Sequence, residues 1–184
     1  MSSSGGIIVG LDPSSSVIGY AAMDRRRTLI DVGLVTPGKS SDGSWDRIMQ
    51  MCRCDLVRLL DSLHPTVILV EWTKGKVNER RHSGLGAGLA VYGCGVGAAA
   101  MAAVAWSADH VCAECFEWRG CEVLPILEND WTRGQRKKDR QLAIASAYPQ
   151  YAGHLADDAG GDMSDAIGLC DWWITEQMAA KSLF

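Results

Sequence analysis

Four acidic residues lie where α/β proteins usually place their chemistry, at the ends of apolar strands and at the start of a helix. Asp12 ends the first apolar run of the chain, and Glu71 ends the fourth. Asp162 and Asp165 begin the last helical segment one turn apart, so they share one face of it. If the first and fourth runs are neighbouring strands, Asp12 and Glu71 lie side by side at one sheet edge, where the helix start can complete the cluster.

Such a cluster favours a metal-dependent reaction. Four converging carboxylates repel one another, so the arrangement requires divalent cations, and hard oxygen ligands select Mg²⁺ or Mn²⁺. Two such ions about 3.5–4 Å apart suit in-line phosphodiester hydrolysis, in which one lowers the pKa of the attacking water and the other stabilises the leaving 3′ oxygen. The four acids together therefore predict a phosphodiester hydrolase.

Each acid taken alone also has a purely structural interpretation. Asp12 precedes a proline and can form a turn. Glu71 can mark the point where a strand meets solvent. Asp162 and Asp165 have the spacing of a helix N-cap and its partner three residues later. The joint placement of all four favours a site over these alternatives.

The basic residues are concentrated in two stretches of a chain whose net charge is −4. The first, in residues 74–82, contains Lys74, Lys76, Arg80 and Arg81, and the second, in residues 133–140, contains Arg133, Arg136, Lys137, Lys138 and Arg140. An acidic protein with two basic patches is typical of one that contacts a polyanion over a limited footprint. Two solvated loops are the alternative interpretation.

Length and composition exclude several classes of protein. The 184 residues, 47% of them hydrophobic, suit a single globular domain spanning 1–184, with residues 1–5 as a flexible N-terminus. A disordered chain and a disulfide miniprotein are excluded. The chain is also too short for the two lobes of an actin-like ATPase, to which Asp12 and the serines after it bear a faint likeness.

Seven irregularly spaced cysteines indicate a reducing compartment, and we expect a cytoplasmic protein. One group of residues, His110, Cys112, Cys115 and Cys121, has the composition of a zinc site. Cys112 and Cys115 also fall on the inner stripe of a helix, where small buried thiols are common. Both interpretations remain open.

The first residues show no signal peptide. The uncharged stretch Leu85–Trp106 is long enough to span a membrane, but it is dominated by alanine and glycine, which gain little from lipid. We therefore expect no membrane association. A buried helix, packed closely against another backbone such as that of a partner subunit, is the favoured interpretation.

Hydrophobic periodicity predicts a single α/β domain with a mixed sheet. The expected strands are Ile7–Asp12, Val17–Met23, Thr28–Thr36, Thr66–Glu71 and Cys121–Ile126, and the expected helices cover residues 45–63, 84–119, 138–148 and 164–180. The first three strands form an antiparallel meander joined by tight turns. Thr66–Glu71 is apolar at successive positions, which is typical of a central strand covered on both faces.

Three segments resemble motifs of the RuvC-type Holliday junction resolvases. Residues 10–20, Gly-Leu-Asp-Pro-Ser-Ser-Ser-Val-Ile-Gly-Tyr, resemble the first motif of that family, Gly-Ile-Asp-Pro-Gly-x-x-x-x-Gly-Tyr/Phe. Residues 67–71 are similar to its fourth strand with the catalytic glutamate, and residues 162–166 look like its closing Asp-x-x-Asp-Ala. The intervals between motifs also suit the family, and the resemblance covers residues 7–178.

The resemblance implies an RNase H-like fold, here a mixed five-stranded sheet in the order βββαβαβαα with helices on both faces. It implies that Asp12, Glu71, Asp162 and Asp165 bind two Mg²⁺ ions, for which Mn²⁺ can substitute, and form the catalytic set. It also implies a homodimer that nicks opposed strands of a four-way DNA junction. A basic residue near the scissile phosphate is expected in the stretch 136–138, with Lys137 or Lys138 in the catalytic role.

Two departures from the family pattern affect these expectations. Ser14 replaces the usual glycine, so the turn after Asp12 can differ. The aromatic residue that family members often carry three positions after the glutamate is Lys74 here, while Trp72 directly follows Glu71. Trp72 either stacks on a base or fills the core.

Two other functions remain open beside junction resolution. One is a different RNase H-like nuclease, acting on flaps or RNA–DNA hybrids. The other is a non-catalytic protein that binds branched DNA. The presence of all four acids favours an enzyme over the latter.

Overall fold

The apolar runs of the sequence form one mixed sheet. The structure, a computed structural model, describes residues 6–14, 17–36, 55–72, 85–109, 121–154 and 156–181. Its strands are β1 (Ile8–Pro13), β2 (Ile18–Met23), β3 (Leu29–Val35), β4 (Val67–Trp72) and β5 (Glu122–Leu127). Its helices are α1 (Val57–Leu63), α2 (Leu85–Asp109), α3 (Glu128–Thr132), α4 (Lys137–Ala147), α5 (Pro149–Ala152) and α6 (Asp162–Lys181).

The strands lie in the order β3-β2-β1-β4-β5. β1, β2 and β3 pair antiparallel, as the predicted meander requires. β1 pairs parallel with β4, and β4 pairs parallel with β5. The carboxyl ends of β1, β4 and β5 therefore meet at one edge of the sheet.

Helices cover both faces of the sheet. Along β4, Val67 and Leu69 belong to the core under α6, whereas Ile68 and Val70 belong to the core under α1 and α2. This two-sided burial explains why β4 is apolar at every position rather than at alternate ones. The predicted fold class, a mixed five-stranded sheet with helices on both faces, is confirmed.

Two glycines let α6 lie directly against the sheet. A Cβ at Gly10 of β1 would lie 2.6 Å from the carbonyl oxygen of Ala166, and one at Gly19 of β2 would lie 2.2 Å from that of Asp162. Real Cβ atoms essentially never come this close to another heavy atom. The absence of side chains at these two positions therefore sets the height of the first turn of α6 above the strands.

Several helix limits differ from the sequence prediction. α4 begins one residue earlier, at Lys137, and α6 begins at Asp162 instead of residue 164. The helices α3 and α5 were not predicted, because each is shorter than the two turns that hydrophobic periodicity needs. Pro149 does end α4, but it also starts α5, where its fixed φ suits the first helical turn. Residues 37–54 and 110–120 lie outside the described residues, so the predicted extents of those two helices stay predictions.

α2 has one buried face and one open face. Ala99 and Ala103 are buried in the core that they share with the sheet, and Val96 is also buried, whereas Met101 is 67% exposed. Apart from the neighbouring atoms of the helix itself, no described atom lies within 4 Å of a Cβ built at Gly93 or Gly97. At these two positions, the close backbone packing expected for this helix is not made by the described residues. Within those same residues, no helix combines the length and apolar character needed to cross a membrane.

Candidate active site

Asp12 and Glu71 are brought together by the parallel pairing of β1 and β4. Leu11 is the partner of Val70 in the register, so the next residue of each strand lies at the shared carboxyl edge. Both acids are almost fully buried, at 7% and 6% exposure. The expectation that these two acids meet at one sheet edge is therefore supported by the topology.

The first turn of α6 adds the other two acids, and neither is the cap of the helix. The buried carboxylate of Asp158 caps it instead, accepting the backbone N–H groups of Met163 and Ser164 at 3.0 Å each. The side chains of Asp162 and Asp165 are thereby left to line the cavity beside Asp12. Asp158 was not predicted, although an acid four residues before the helix start was visible in the sequence.

The ammonium group of Lys137 lies among the acids. It contacts Oδ1 of Asp162 and Oδ2 of Asp165 at 3.0 Å each, and Oδ2 of Asp12 at 3.8 Å. Its aliphatic chain passes over Gly161, where a Cβ would lie 2.7 Å from Cε of the lysine. Gly161 also has φ +75°, a conformation that favours glycine. Two basic residues were predicted for the catalytic role. Lys137 lies in the cluster, whereas Lys138, the next residue of α4, is exposed.

Trp131 and Arg140 each donate hydrogen bonds to one acid of the cluster. The indole N–H of Trp131 donates to Oε2 of Glu71 at 3.1 Å. The guanidinium of Arg140 donates to both carboxylate oxygens of Asp165 at 3.1–3.2 Å. Arg140 was predicted to contact DNA; it is instead 8% exposed and neutralises a buried acid, so this assignment changes.

The site residues line a cavity of about 310 Å³ at the carboxyl edge of the sheet. The four predicted acids share it with Lys137, Arg140 and Ser14, and with two polar residues not singled out in the sequence, Glu128 and Gln135. Glu128 directly follows β5, just as Asp12 and Glu71 stand at the ends of their strands. That shared position was the signal in the sequence that could have identified it.

Ser14 adapts the turn after Asp12 to the absence of glycine. Its hydroxyl donates to the carbonyl oxygen of Val17 at 2.8 Å and accepts the Val17 N–H at 3.1 Å. The backbone N–H of Ser14 also bonds that carbonyl oxygen at 2.8 Å. The serine side chain therefore closes the loop between β1 and β2.

Burial and mutual repulsion raise the pKa values of the carboxyl groups. Desolvation, followed by repulsion from Asp165 and Glu128, raises the pKa of Glu71 to about 7, despite the hydrogen bond from Trp131. Desolvation and the charge of Glu71 raise the pKa of Asp12 well above its ordinary value. Burial also raises the pKa of Asp165, although Lys137 and Arg140 oppose the shift. These three acids therefore hold their protons more strongly than exposed carboxyl groups do.

The acidic neighbours of Lys137 raise its pKa. Partial burial lowers it, but the carboxylates of Asp165 and Asp12 and the hydrogen bonds to Asp162 and Asp165 outweigh that effect. Its pKa is therefore held above its ordinary value, and the ammonium stays charged. One lysine and one arginine then face the four predicted acids and Glu128.

The donor set is suited to hard divalent cations, because it consists of carboxylate oxygens. In the described residues, no three His, Cys, Asp or Glu side chains already stand in the geometry of a cation site. The ammonium of Lys137 takes that central place instead. Cation binding by these acids therefore requires the lysine side chain to move aside, which its 44% exposure permits.

The remaining predicted DNA contacts divide by location. Arg136 and Lys138 are exposed beside Lys137 at the start of α4. Arg133 is exposed and pairs with Glu176 at 3.0 Å. Trp72 is 42% exposed at the end of β4, so it does not fill the core. Lys74, Lys76, Arg80 and Arg81 lie outside the described residues.

The zinc interpretation has one describable member. Cys121 is a buried free thiol whose pKa is raised by burial to about 11, so a thiolate is disfavoured there. His110, Cys112 and Cys115 lie outside the described residues. The small buried thiol remains the better interpretation for Cys121.

Comparison with known proteins identifies solved structures that share this fold. No protein-family model matches the sequence, and neither does any curated protein. Among solved structures, T. thermophilus RuvC in complex with a Holliday junction substrate matches 95% of this chain and 96% of its own, with TM-score 0.63 and 12% identity. A second Thermus thermophilus RuvC structure matches 94% and 96%, with TM-score 0.58 and 14% identity. The yeast mitochondrial Holliday junction resolvase Ydc2 matches 95% and 82%, with TM-score 0.56 and 12% identity. The resemblance expected from the motifs is thus confirmed for the fold: the chain has the RNase H-like architecture of the RuvC-type resolvases.

Proposed function

We propose that this protein is a metal-dependent endonuclease that cuts four-way DNA junctions by phosphodiester hydrolysis. The observation that carries the proposal is the meeting of Asp12, Glu71, Asp162 and Asp165 in one cavity beside Lys137. These acids come from segments far apart in the sequence. A fold shared with a RuvC solved on a Holliday junction supports DNA as the substrate.

Mg²⁺ is the proposed cation, with Mn²⁺ as a substitute and two ions per site. The four acids would hold the ions, because they line one cavity and carboxylate oxygens are the ligands that such ions prefer. When bound, such ions supply acidification of the attacking water and stabilisation of the leaving 3′ oxygen. Asp162 is the more exposed of the two α6 acids, at 19% of its side chain against 4% for Asp165, so we expect it to lie nearer a bound strand.

Lys137 is the proposed catalytic lysine. Its charged head reaches the cluster while its side chain remains half-exposed, so it can turn from the acids to the phosphoryl oxygens of a bound strand. A cation in this position stabilises the charge that develops on those oxygens. Lys138 and Arg136 would then hold the DNA backbone beside the cavity.

Trp72 is the proposed stacking residue. It follows Glu71 at the carboxyl edge of the sheet and exposes 42% of its surface. Stacking of a base on an exposed aromatic ring contributes about 1–3 kcal/mol. An indole beside the catalytic acids is well placed to hold a base that has left the duplex at the junction.

We propose a homodimer as the active form, because two opposed strands of a junction must be cut. The open face of α2 is the candidate contact surface: Met101 and Val104 are exposed there, next to glycines that leave room for another backbone. Its residues do not line the cavity of the acid cluster, so each subunit would keep its own complete site.

The test is cleavage of matched synthetic substrates with and without Mg²⁺. A four-way junction, a flap and an RNA–DNA hybrid of the same sequence are incubated with the wild-type protein and with Asp12→Asn. The proposal requires Mg²⁺-dependent, paired nicking of the junction, which the variant loses. Preferred cutting of the flap or the hybrid would identify a different RNase H-like nuclease, and binding without cleavage of any substrate would identify a branched-DNA-binding protein.

A further inference from the structure

Trp131 and Arg140 form a stacked pair that joins two acids of the site. The guanidinium carbon of Arg140 lies 5.0 Å from the centre of the Trp131 ring, within the range of a cation–π contact. Trp131 bonds Glu71 on β4, and Arg140 bonds Asp165 on α6. A continuous series of contacts therefore links the carboxylate of Glu71 on β4 to that of Asp165 on α6.

The pair is built into the protein and is not a surface feature. Trp131 and Arg140 are each 8% exposed. Nη1 of Arg140 donates to the carbonyl oxygen of Gln135 at 2.8 Å, while Nε and Nη2 are directed at Asp165. The ring of Trp131 packs against Gly168 of α6, where a Cβ would lie 2.8 Å from Cζ3. A side chain at that position would push the indole away from Glu71.

The chemistry of the two bonds matches a task of orientation. An arginine that grips both oxygens of a carboxylate fixes its plane, which a lysine cannot do. An indole N–H is a donor only, so it holds a carboxylate oxygen without competing for a cation. Trp131 does not line the cavity, and Arg140, which does, directs its guanidinium at Asp165 and at the carbonyl oxygen of Gln135.

We infer that Trp131 and Arg140 are positioning residues, which fix Glu71 and Asp165 in the orientation that binds the divalent cations. The inference rests on the proposed metal site. Partners that orient metal-binding side chains commonly change metal affinity by about 10–100-fold when they are removed. We therefore expect the pair to set the cation concentration at which the site fills.

The test is calorimetric titration of the full-length protein with Mn²⁺ in the absence of DNA. Trp131→Phe keeps an aromatic ring for stacking and loses the N–H donor. Arg140→Lys keeps the positive charge and loses the bidentate hydrogen bonding to Asp165. Each is expected to weaken Mn²⁺ binding by about tenfold. The matched controls are Trp173→Phe, another buried tryptophan, and Arg27→Lys, an arginine that pairs with Asp171 outside the cavity; both should bind Mn²⁺ as the wild type does.

Cleavage at graded Mn²⁺ separates positioning from a merely structural role. Both variants should cut a four-way junction at close to the wild-type rate once the Mn²⁺ concentration is raised about tenfold, because the reacting groups themselves are intact. A variant damaged only in its folding would instead show a lower unfolding temperature and no recovery with Mn²⁺. If Arg140→Lys fails to fold, Trp131→Phe alone decides the inference.

The outcomes also separate this inference from the proposed function. Weaker Mn²⁺ binding by the variants supports positioning even if the wild-type protein cuts no junction, in which case only the proposed function fails. Wild-type Mn²⁺ affinity in both variants overturns positioning even if the junction is cut. A wild-type protein that binds no Mn²⁺ overturns the inference and the metal site together.

Discussion

The Nζ atom of Lys137 lies 3.0 Å from Oδ2 of Asp165, so a lysine of α4 is the internal counter-ion of an acid on α6. The same ammonium also contacts Asp162, and it lies near Asp12. In the proposed cation site, this lysine would neutralise part of the charge before any metal binds. It would therefore compete with the metal and stay close to a negatively charged substrate.

Lys137→Met should separate these two roles. Methionine keeps the approximate length of the side chain and removes the charge, so we expect tighter binding of Mn²⁺ in the absence of DNA. Single-turnover cleavage at saturating Mn²⁺ should nevertheless fall by about 100-fold, since a charge that stabilises the phosphoryl oxygens is lost. Calorimetry and quenched-flow cleavage measure the two effects.

Lys138→Met is the matched control for that prediction. Lys138 is the adjacent residue of the same helix turn and is exposed, so its loss should weaken junction binding and reduce the salt dependence of that binding without slowing the bound complex. Equal losses of single-turnover rate in the two variants would show that Lys137 has no special position.

Glu71→Gln should stabilise the metal-free protein at high pH. The pKa of Glu71 is about 7 in the folded state, above its ordinary value of 4.5, so the folded state holds the proton more strongly than the unfolded state. The wild-type protein therefore loses free energy of unfolding as the pH rises from about 4.5 to about 7, by about 3 kcal/mol when the group is fully ionised. Glutamine carries no such charge and still offers an oxygen to Trp131.

Thermal unfolding in EDTA at about pH 5 and about pH 8 measures this effect. The unfolding temperature of the variant should exceed that of the wild type mainly at the higher pH. Added Mg²⁺ should raise the unfolding temperature of the wild type and leave that of the variant nearly unchanged. A constant difference between the two proteins at all pH values would contradict the raised pKa of Glu71.

Gly19→Ala should displace the acids of α6. The added Cβ would lie 2.2 Å from the carbonyl oxygen of Asp162, and this contact is with backbone, which cannot rotate away. We expect a loss of about 1–3 kcal/mol of stability and a large loss of cleavage, with junction binding retained. Gly153→Ala is the control, since its Cβ would have its nearest neighbour at 4.0 Å. Retention of full cleavage by Gly19→Ala would show that the height of α6 does not matter.

Asp158→Ala should loosen the start of α6. It removes a cap that accepts two backbone N–H groups and leaves the buried hydroxyl of Tyr151 without its acceptor, for a cost of about 3 kcal/mol in the free energy of unfolding. The exposed neighbour Asp157→Ala should cost little. Urea unfolding measures both; similar small effects would contradict the capping role.

The strands and the four acids could be predicted from the sequence, because both depend on local patterns. The run 66–71 is apolar throughout since β4 is covered on both faces, and acids at the ends of apolar runs stand out. The parallel pairing of β1 and β4, which was a condition of the prediction and not a result of it, then brings Asp12 and Glu71 to one edge. The order of helices and strands along the chain followed from the hydrophobic pattern, and the motif resemblance agreed with it.

The supporting residues could not be predicted, since their roles depend on contacts between distant elements. A tryptophan at position 131 has the composition of a core residue, and only its hydrogen bond to Glu71 distinguishes it. Arg140 stands in a basic stretch, so charge counting assigned it to DNA, whereas the fold turns it inward to Asp165. Position along the chain reports charge but not the direction in which a side chain points.

The direct seating of α6 on Gly10 and Gly19 has a consequence for how this architecture tolerates change. Next to the carboxylate cluster, main-chain atoms rather than interlocking side chains set the distance between the helix and the strands. The surrounding apolar residues can then be exchanged for others of similar volume without altering the gap between the two pairs of carboxylates. A fold in which the backbone sets this distance can keep the carboxylates in place while most of its other residues change.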